Sequence, residues 1–417
     1  MRTANIEKVD DWVPGELLAA LEETAGDHEI HLVGGALRDR VLERYAPDLD
    51  LVANGRGDKL GRRLARRLGG RFVALAGERF AAYRIVAGDL VVDLWGRGDT
   101  PIRDELERRD LTINSLAVDL AERRLLDPFG GVRDLERRRL RATSPHSFTE
   151  DPLRLLRLAR FAASLAGFSV EPATLELARQ AAPGVTGVAA ERVREEVNRL
   201  LSTRGRAAGL EVLVACGLYP SLWGGADTST RAEVPPRLAA IDSTHDGLRA
   251  KTDPESCAFD PVVVSQALLF SPPGGGAPAA AASSLLTRRT RRRVGALLEL
   301  DRLPAEKAER RWFLRRWRHR WIEAAVFAIL RADPDSETDT NAAYALAALA
   351  GRHGREIFDL PTLLDGSEIG RLLGLPPGPE IGRALVALER EQVAGRVDTP
   401  RAARAFLASG RWRSENP

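Results

Sequence analysis

The hydrophobic rhythm of the chain changes once, near residue 105, and that change limits what the chain can fold into. Between residues 29 and 95, short runs rich in Val, Leu and Ile ("EIHLV", "LDLVA", "RFVALA", "AAYRIVA", "LVVDLW") read as strands. Between them, "ALRDRVLERY" and "GDKLGRRLARRLG" carry apolar residues at helical spacing. Beyond residue 105 almost every apolar run is helical, as in "DPLRLLRLARFAASLAGF", "AAERVREEVNRLLS", "RAAGLEVLVACGL", "RRVGALLELDRL" and "NAAYALAALAGRHG". The expectation is an α+β protein with a mixed-sheet head followed by helices. At 417 residues the chain is too long for one ordinary core, which suggests two to four domains.

Composition narrows the class. Hydrophobic residues make up 44%, and no apolar run approaches the ~20 residues of a membrane span. The start, "MRTANIEKVDDWVPGE", has acids and no apolar core, so no signal peptide is expected. Cys216 and Cys257 fall in no metal or redox spacing, which suits free thiols in a reducing cytoplasm. Net charge is only +3, and just four of the 62 basic residues are lysines (Lys8, Lys59, Lys251, Lys307), so arginine clusters must be judged by position. The stretch 271–284, rich in Pro, Gly, Ala and Ser, reads as a flexible linker, and a second boundary falls near "DLPTLLDGSE" (359–368).

One constellation carries chemistry. Gly34-Gly35 sits where a strand gives way to a helix, so backbone N–H groups can approach phosphate oxygens with no Cβ between. Arg38, one turn on, presents a fork of donors to the same phosphates. Asp48 and Asp50 lie two apart on a strand and so share a face. Such carboxylates, with substrate phosphates, suit Mg²⁺, and two ions roughly 4 Å apart can serve both an attacking hydroxyl and a leaving pyrophosphate. A plain Gly-Gly turn and a solvated strand edge are the bland readings of each part alone; their order and spacing together favour a triphosphate site. Asp93, in "LVVDLW", is either a third carboxylate or a strand-end residue that supports the site.

"HLVGGALRDRVLERYAPDLDLV", "LERRDLTINSLAVDL" (106–120), "LLDPFGGVRDLERRRLR" and "EDPLRLLRLARFAASLAGF" (150–168) follow in order, and together they resemble the class II tRNA nucleotidyltransferase and bacterial poly(A) polymerase superfamily. The resemblance is dense over about 29–200 and returns weakly over 366–407, where it is similar to the tail of tRNA-specific members. It implies a polymerase-β-like head over 1–142, a helical neck over 143–205, an RNA-binding helical body over 206–358 and a tRNA-binding tail over 359–417. It also implies that Gly35 and Arg38 touch the triphosphate, that Asp48 and Asp50 hold the metals, and that Arg109 contacts the nucleotide. Asp110 and Asn114 match positions shaping the sugar and phosphate site; Leu111 stands where the family usually has Phe. Glu191 and Arg192 match a downstream element expected to brace the neck by ion pairs.

Glu150-Asp151-Pro152-Leu153-Arg154 matches the Glu-Asp-x-x-Arg element with which the family's protein, rather than a template strand, reads the incoming base. Asp151 and Arg154 are three apart and share a helix face. A carboxylate accepts from the exocyclic amine of C or A, and a guanidinium donates to the neighbouring ring nitrogen or carbonyl. G and U present the wrong edge, at a cost on the order of 1–3 kcal/mol. Arg157 and Arg160 extend the stripe towards the triphosphate, while Leu153, Leu155, Leu156, Leu158 and Phe161 give the helix a core face.

In the C-terminal half, "AERRWFLRRWRHRWIEAA" (308–325) interleaves Trp312, Trp317 and Trp321 with six arginines, and the tryptophan spacing places them on roughly one helix face, as core or as a stacking platform. These arginines, with Arg288, Arg289, Arg291, Arg292 and Arg293, either line an RNA path or form a solvated basic face. His245-Asp246 alone does not make a metal-dependent hydrolase site. "GLPPGPEIGRAL" (374–385) is a turn into a helix.

The expected activity is template-independent addition of C and A to the 3′ end of tRNA, using CTP, ATP and two Mg²⁺ ions, with no membrane or protein partner. Only fourteen residues ("LWGRGDTPIRDELE") separate Asp93 from Arg108, where many relatives carry a longer flexible loop that resembles the part needed to switch from C to A. A CC-adding or A-adding specialist is therefore the first alternative. A poly(A) polymerase would share the head motifs but not the tRNA-type tail. A small-molecule nucleotidyltransferase would not need the long basic helical half. A catalytically inactive RNA-binding protein would be expected to have lost Asp48, Asp50 or the Asp151–Arg154 pair, and all are present.

Overall fold

The computed structural model describes residues 12–44, 48–75, 82–223, 228–252, 257–271, 283–332 and 337–413. Two compact units divide the chain, residues 1–221 and 222–417.

The first unit is built on a seven-stranded sheet of order β3-β4-β5-β2-β1-β6-β7. Its strands are β1 (Ile30–Val33), β2 (Asp48–Ala53), β3 (Arg71–Ala74), β4 (Ala82–Ala87), β5 (Leu90–Gly96), β6 (Ala117–Asp119) and β7 (Arg124–Leu126). The pair β2–β5 is parallel and the other pairings are antiparallel. The five strands expected from sequence are all present, and β6 and β7 are additions to it. At three residues each they are too short to show alternation, so the sequence beyond residue 105 is less wholly helical than its rhythm suggests. A further small pair, β8 (Arg139–Leu140) with β9 (Ser169–Val170), adds to the same correction.

Each strand's burial follows its place in the sheet. β1 is buried throughout, as a strand covered on both faces must be. At the start of β2, Asp48 is exposed and Asp50 half-buried, while Leu49 and Leu51 enter the core. The helices α1 (Gly15–Thr24), α2 (Gly35–Val41), α3 (Asp58–Arg67), α4 (Ile102–Glu107) and α5 (Gly131–Glu136) accompany the sheet. After α6 (Ser147–Glu150), α7 (Leu153–Ser164) buries Leu155, Leu156, Leu158, Ala159 and Phe161 and leaves Arg154, Arg157 and Arg160 half-buried on another face. Then come α8 (Pro172–Ala181), α9 (Ala190–Leu201) and α10 (Arg206–Ala215). α10 lies so close to α7 that a Cβ at Gly205 would stand 2.2 Å from the Ala163 carbonyl oxygen, and one at Gly209 would stand 2.8 Å from that of Ala159. That closeness holds the arginine face of α7 in place.

The regular elements described in the second unit are all helices. The tryptophan–arginine run is not one helix. Lys307–Trp317 ends at a 3₁₀ turn, where Arg318 takes φ 49°, and Trp321–Arg331 starts afresh. The three tryptophans therefore share no continuous face: Trp321 is fully buried, Trp317 stacks on Phe313 at 5.7 Å, and Arg390 lies over Trp312 at 5.4 Å. Near the end, Asp365 and Glu368 form a reciprocal capping box for Gly366–Leu373, and Ile369, Leu388, Phe406, Leu407 and Trp412 make a separate apolar cluster. Most of the expected linker, residues 272–282, lies outside the described residues. No described helix is long and apolar enough to cross a membrane.

The helix α5 fixes the turn that carries Asn114. A Cβ at Gly131 would stand 2.2 Å from the Thr112 carbonyl oxygen, and Thr112 Oγ1 donates to Asp134 at 2.7 Å. Gly131→Ala should therefore lower stability by about 1–3 kcal/mol, read as the shift in urea midpoint of the full chain; an unchanged midpoint would show that α5 can move aside.

Candidate active site

The functional residues nominated from sequence come together. Gly35, Arg38, Asp48, Asp50, Arg109, Asn114, Asp151, Arg154, Arg157 and Arg160 all line one cavity of about 710 Å³. Arg84, Asp93, Arg108, Phe161, Arg192 and Arg199 line it as well.

Its floor follows from register. Asp50 on β2 stands opposite Val33 on β1 and Asp93 on parallel β5, and Asp93 in turn stands opposite Arg84 on β4. Gly34, where β1 turns into α2, has φ 84°, and a Cβ there would meet Asp50 Oδ2 at 2.9 Å and Arg109 Nη1 at 3.1 Å. Glycine thus serves both the left-handed turn and the close carboxylate. Burial pushes the Asp50 carboxyl up to about 6; Arg109 and Arg84 oppose the shift, while Asp93 and Asp48 add to it. A buried carboxylate between two others is short of positive charge, which is the condition a hard cation relieves. Asp48 and Asp50 fit such an ion. Asp93 gives both carboxylate oxygens to Arg84, at 2.7 Å each, and among the described residues no group of three or more His, Cys, Asp or Glu is arranged as a metal cage.

The walls are arginines held from behind by acids. Arg38 donates to Asp39 at 3.0 and 2.7 Å and to Asn114 Oδ1 at 2.9 Å. Asn114 Nδ2 donates to Asp110 at 2.9 Å, and Arg157 Nε reaches the other Asp110 oxygen at 2.7 Å. Burial works against the Asp110 charge, but Arg157, Asn114 and the Leu111 N–H together hold its carboxyl below the usual range. Arg160 donates to buried Glu196 at 2.8 Å. The guanidinium groups of Arg38, Arg157 and Arg160 lie 5.2, 5.7 and 4.5 Å from the Phe161 ring centre.

At the neck, Asp151 and Arg154 do not share a helix face as their spacing suggested: Asp151 has extended backbone (φ -143°, ψ 97°) ahead of α7 and accepts from Leu153 N at 3.2 Å, because Pro152 opens the helix after it, whereas Arg154 lies on α7 and donates to the Ser147 carbonyl at 3.0 Å with Glu150 3.6 Å away. Arg192 is more than a brace: it pairs with Asp151 at 3.2 Å and lines the cavity, whereas Glu191 pairs with Arg194 and is mostly exposed. Sequence reasoning missed Arg84, which stands in no motif, and Arg199, which lies in the downstream element that holds Glu191 and Arg192 but has no local mark of a role; strand register and the face of α9 bring them in.

The second unit sorts its arginines by partner. Arg315 is buried and donates to the carbonyls of Ile357, Phe358 and Leu360, with Glu389 at 2.6 Å, so it is a structural residue. Arg293 is tied to Asp260 and Glu323. Arg288, Arg289, Arg292 and Arg320 are exposed and line, with Arg293, Ala258 and Ala296, a separate cavity of about 860 Å³. His245 stacks on Phe259 at 4.1 Å and is drawn 3.2 Å from Asp246, an arrangement of packing.

Known proteins resemble this chain in sequence and in fold. The family described as "Poly A polymerase head domain" matches residues 30–94 and 97–141, and "Probable RNA and SrmB- binding site of polymerase A" matches 167–223. The CC-adding tRNA nucleotidyltransferase of Geobacter sulfurreducens is 33% identical, covering 92% of this chain and 93% of its own. The A-adding tRNA nucleotidyltransferase of Deinococcus radiodurans is 32% identical, over 93% and 96%. Among solved structures, the Bacillus stearothermophilus CCA-adding enzyme in complex with CTP superposes with TM-score 0.69 at 21% identity over the whole of both chains. A CCA-adding enzyme in an apo form gives TM-score 0.71 at 19% identity over 97% of each, a likeness of fold. With a head of that family, a cavity floored by Asp48 and Asp50, and full-length relatives a third identical, the chain belongs to the class II tRNA nucleotidyltransferase and poly(A) polymerase superfamily.

Proposed function

We propose that this enzyme adds nucleotides to the 3′ end of tRNA, taking CTP and ATP, with Asp48 and Asp50 as its catalytic carboxylates. The observation that carries the reading is the single cavity in which those carboxylates face Arg38, Arg109, Arg157 and Arg160. The RNA 3′ oxygen attacks the α-phosphorus; the new O–P bond forms as the bond to the pyrophosphate oxygen breaks, and the hydroxyl proton passes to solvent. Mg²⁺ bound at Asp48 and Asp50 would supply Lewis-acid stabilisation of the charge on the reacting oxygens. Gly35, with the backbone at the start of α2, and Arg38 hold the triphosphate. Arg109, Arg157 and Arg160 neutralise the charge that leaves with pyrophosphate. Because Asp39, Asn114, Asp110 and Glu196 hold Arg38, Arg157 and Arg160 beforehand, little reorganisation of these three remains for the reaction step. Asn114 also borders the sugar site. Asp151 and Arg154 read the Watson–Crick edge of C or A.

In this reading residues 1–142 carry out transfer, 143–205 read the base, and 206–358 and 359–417 grip the RNA. The separate apolar cluster of the tail supports the last division, and the arginine cavity at Arg288, Arg289, Arg292 and Arg320 supports an RNA-binding body. The setting is the cytoplasm, whose reducing conditions suit Cys216 and Cys257, two cysteines in no metal or redox spacing.

A second reading, addition of C alone or of A alone, is favoured by one observation. The segment after Asp93 is not a long loop but the end of β5, a Gly55–Gly98 bridge and α4. Three tRNAs ending before CCA, at C and at CC, each given one nucleotide at a time with Mg²⁺ beside an unstructured RNA, separate the outcomes by product length. Extension of the unstructured RNA by many A residues would overturn the tRNA assignment.

Asp48→Ala and Asp50→Ala should each lower transfer by at least about 10³-fold while tRNA binding stays within about twofold. Activity near wild type in either would refute the metal assignment. Changing Asp151 to Ala or Arg154 to Ala should raise misincorporation of G and U by roughly 10-fold or more, in single-turnover competition assays, and unaltered base choice would remove the reader.

Acidity gives a further expectation. Asp50 must be ionised to hold a cation, so at limiting Mg²⁺ activity should rise with pH through about 6, and the midpoint should fall as Mg²⁺ is raised. Its folded value lies above the ordinary 3.8, so the unfolded chain loses this proton first as pH rises, and the Mg²⁺-free protein loses stability between about pH 4 and 6. Asp50→Asn should therefore be inactive yet more stable than wild type at pH 7 without Mg²⁺, by about 1–2 kcal/mol in urea unfolding. A less stable Asn variant would contradict the buried-charge account.

A further inference from the structure

Among the arginines that line the active cavity, Arg84 alone is carried on a strand of the sheet. The others come from α2, from the segment after α4, and from α7 and α9. The sheet order makes the difference meaningful. β2, with Asp48 and Asp50, has β1 on one flank, leading into Gly34, Gly35 and Arg38, and has β5 and then β4 on the other. An in-line displacement places the attacking oxygen and the leaving pyrophosphate on opposite sides of the phosphorus. With the triphosphate held on the β1 flank, the RNA end must arrive over β5 and β4.

Arg84 stands on that flank in a prepared state. Its Nε and one Nη2 proton bind the two Asp93 oxygens at 2.7 Å, leaving Nη1 and the remaining Nη2 proton for a ligand. The Arg84 side chain is 46% exposed and that of Asp93 only 17%, so the carboxylate is the shielded support and the guanidinium the open face. A guanidinium fork held from behind is suited to the paired oxygens of a phosphodiester.

We propose that Arg84 binds a backbone phosphate at the 3′ end of the acceptor RNA, and that Asp93 is its positioning residue rather than a metal ligand. The proposal rests on the transfer reading above and assigns the RNA side of the same site.

The test measures steady-state kinetics of Arg84→Ala, Arg84→Lys and Asp93→Asn in the full chain, varying tRNA and CTP separately, with Mg²⁺ titrations. For Arg84→Ala, KM for tRNA should rise by about 10-fold, with KM for CTP and the Mg²⁺ half-saturation unchanged. Arg84→Lys, which keeps charge and loses the fork, should recover part of that loss. Asp93→Asn should show the same tRNA-selective pattern at about three- to tenfold. The salt dependence of tRNA affinity in Arg84→Ala should also become less steep, by about one phosphate contact. Loss of transfer in Asp93→Asn with a raised Mg²⁺ requirement would make Asp93 a metal ligand and overturn the proposal. So would an Arg84→Ala effect on CTP instead of tRNA, no effect on either, or a variant that no longer binds CTP in calorimetry. Failure of the transfer reading itself is distinct: it appears as activity retained in Asp48→Ala.

Discussion

The first unit is organised around the cost of holding carboxylates side by side on one sheet face. Parallel register of β2 and β5 sets Asp50 beside Asp93, and strand alternation sets Asp48 on the same side as Asp50. Packed against the Gly34 turn, Asp50 has its proton affinity raised to about 6, so the arrangement is unfavourable without added positive charge. Arg84 and Arg109 offset part of it, from opposite flanks. What they leave uncompensated is the electrostatic basis for an affinity for cations, and it would be absent had either strand slipped by one residue, since that reverses the face of every side chain.

The phosphate-facing side answers the opposite problem. Several guanidinium groups crowd one cavity and would repel one another if left free. Three of them are instead anchored by an acid or amide on the far side: Arg38 by Asp39 and Asn114, Arg157 by Asp110, Arg160 by Glu196. Asp110 joins two of these anchors, because it holds Arg157 directly and Arg38 through Asn114. Phe161 then separates the cations with a ring whose face attracts them. The result is a charged surface already arranged before any triphosphate arrives.

Much of this was visible in the sequence because it depends on two short periods. Spacing by two on a strand put Asp48 and Asp50 together, and spacing by three on a helix aligned Arg154, Arg157 and Arg160, while Asp151 joins them from the extended backbone ahead of that helix; the ordered motifs supplied the rest of the family resemblance. What escaped depends on pairing between distant segments. Arg84 meets Asp93 through the register of β4 on β5, and nothing local marks it. Arg199 enters through the face of α9. β6 and β7 were too short to display a period. The tryptophan run misled for a different reason: its helical spacing is real on each side, but the left-handed residue at Arg318 resets the phase.

That break also shows how arginine has to be read in a chain with so few lysines. Arg315, one turn before the break, is consumed by carbonyls that end another helix, and Arg293 by Glu323, whose carboxyl burial pushes up to about 7 against the pull of that same arginine. Arg288, Arg289 and Arg292, on the same helix as Arg293, remain exposed. Residues of one type in one run thus divide between holding helices together and facing solvent. The division follows from whether a carbonyl or carboxylate lies within reach once the helices have packed. A basic run is accordingly evidence of RNA binding only for those members whose donors are not already engaged within the fold. By that standard the case for the second unit rests on Arg288, Arg289, Arg292 and Arg320, not on the tryptophan-rich segment as a whole.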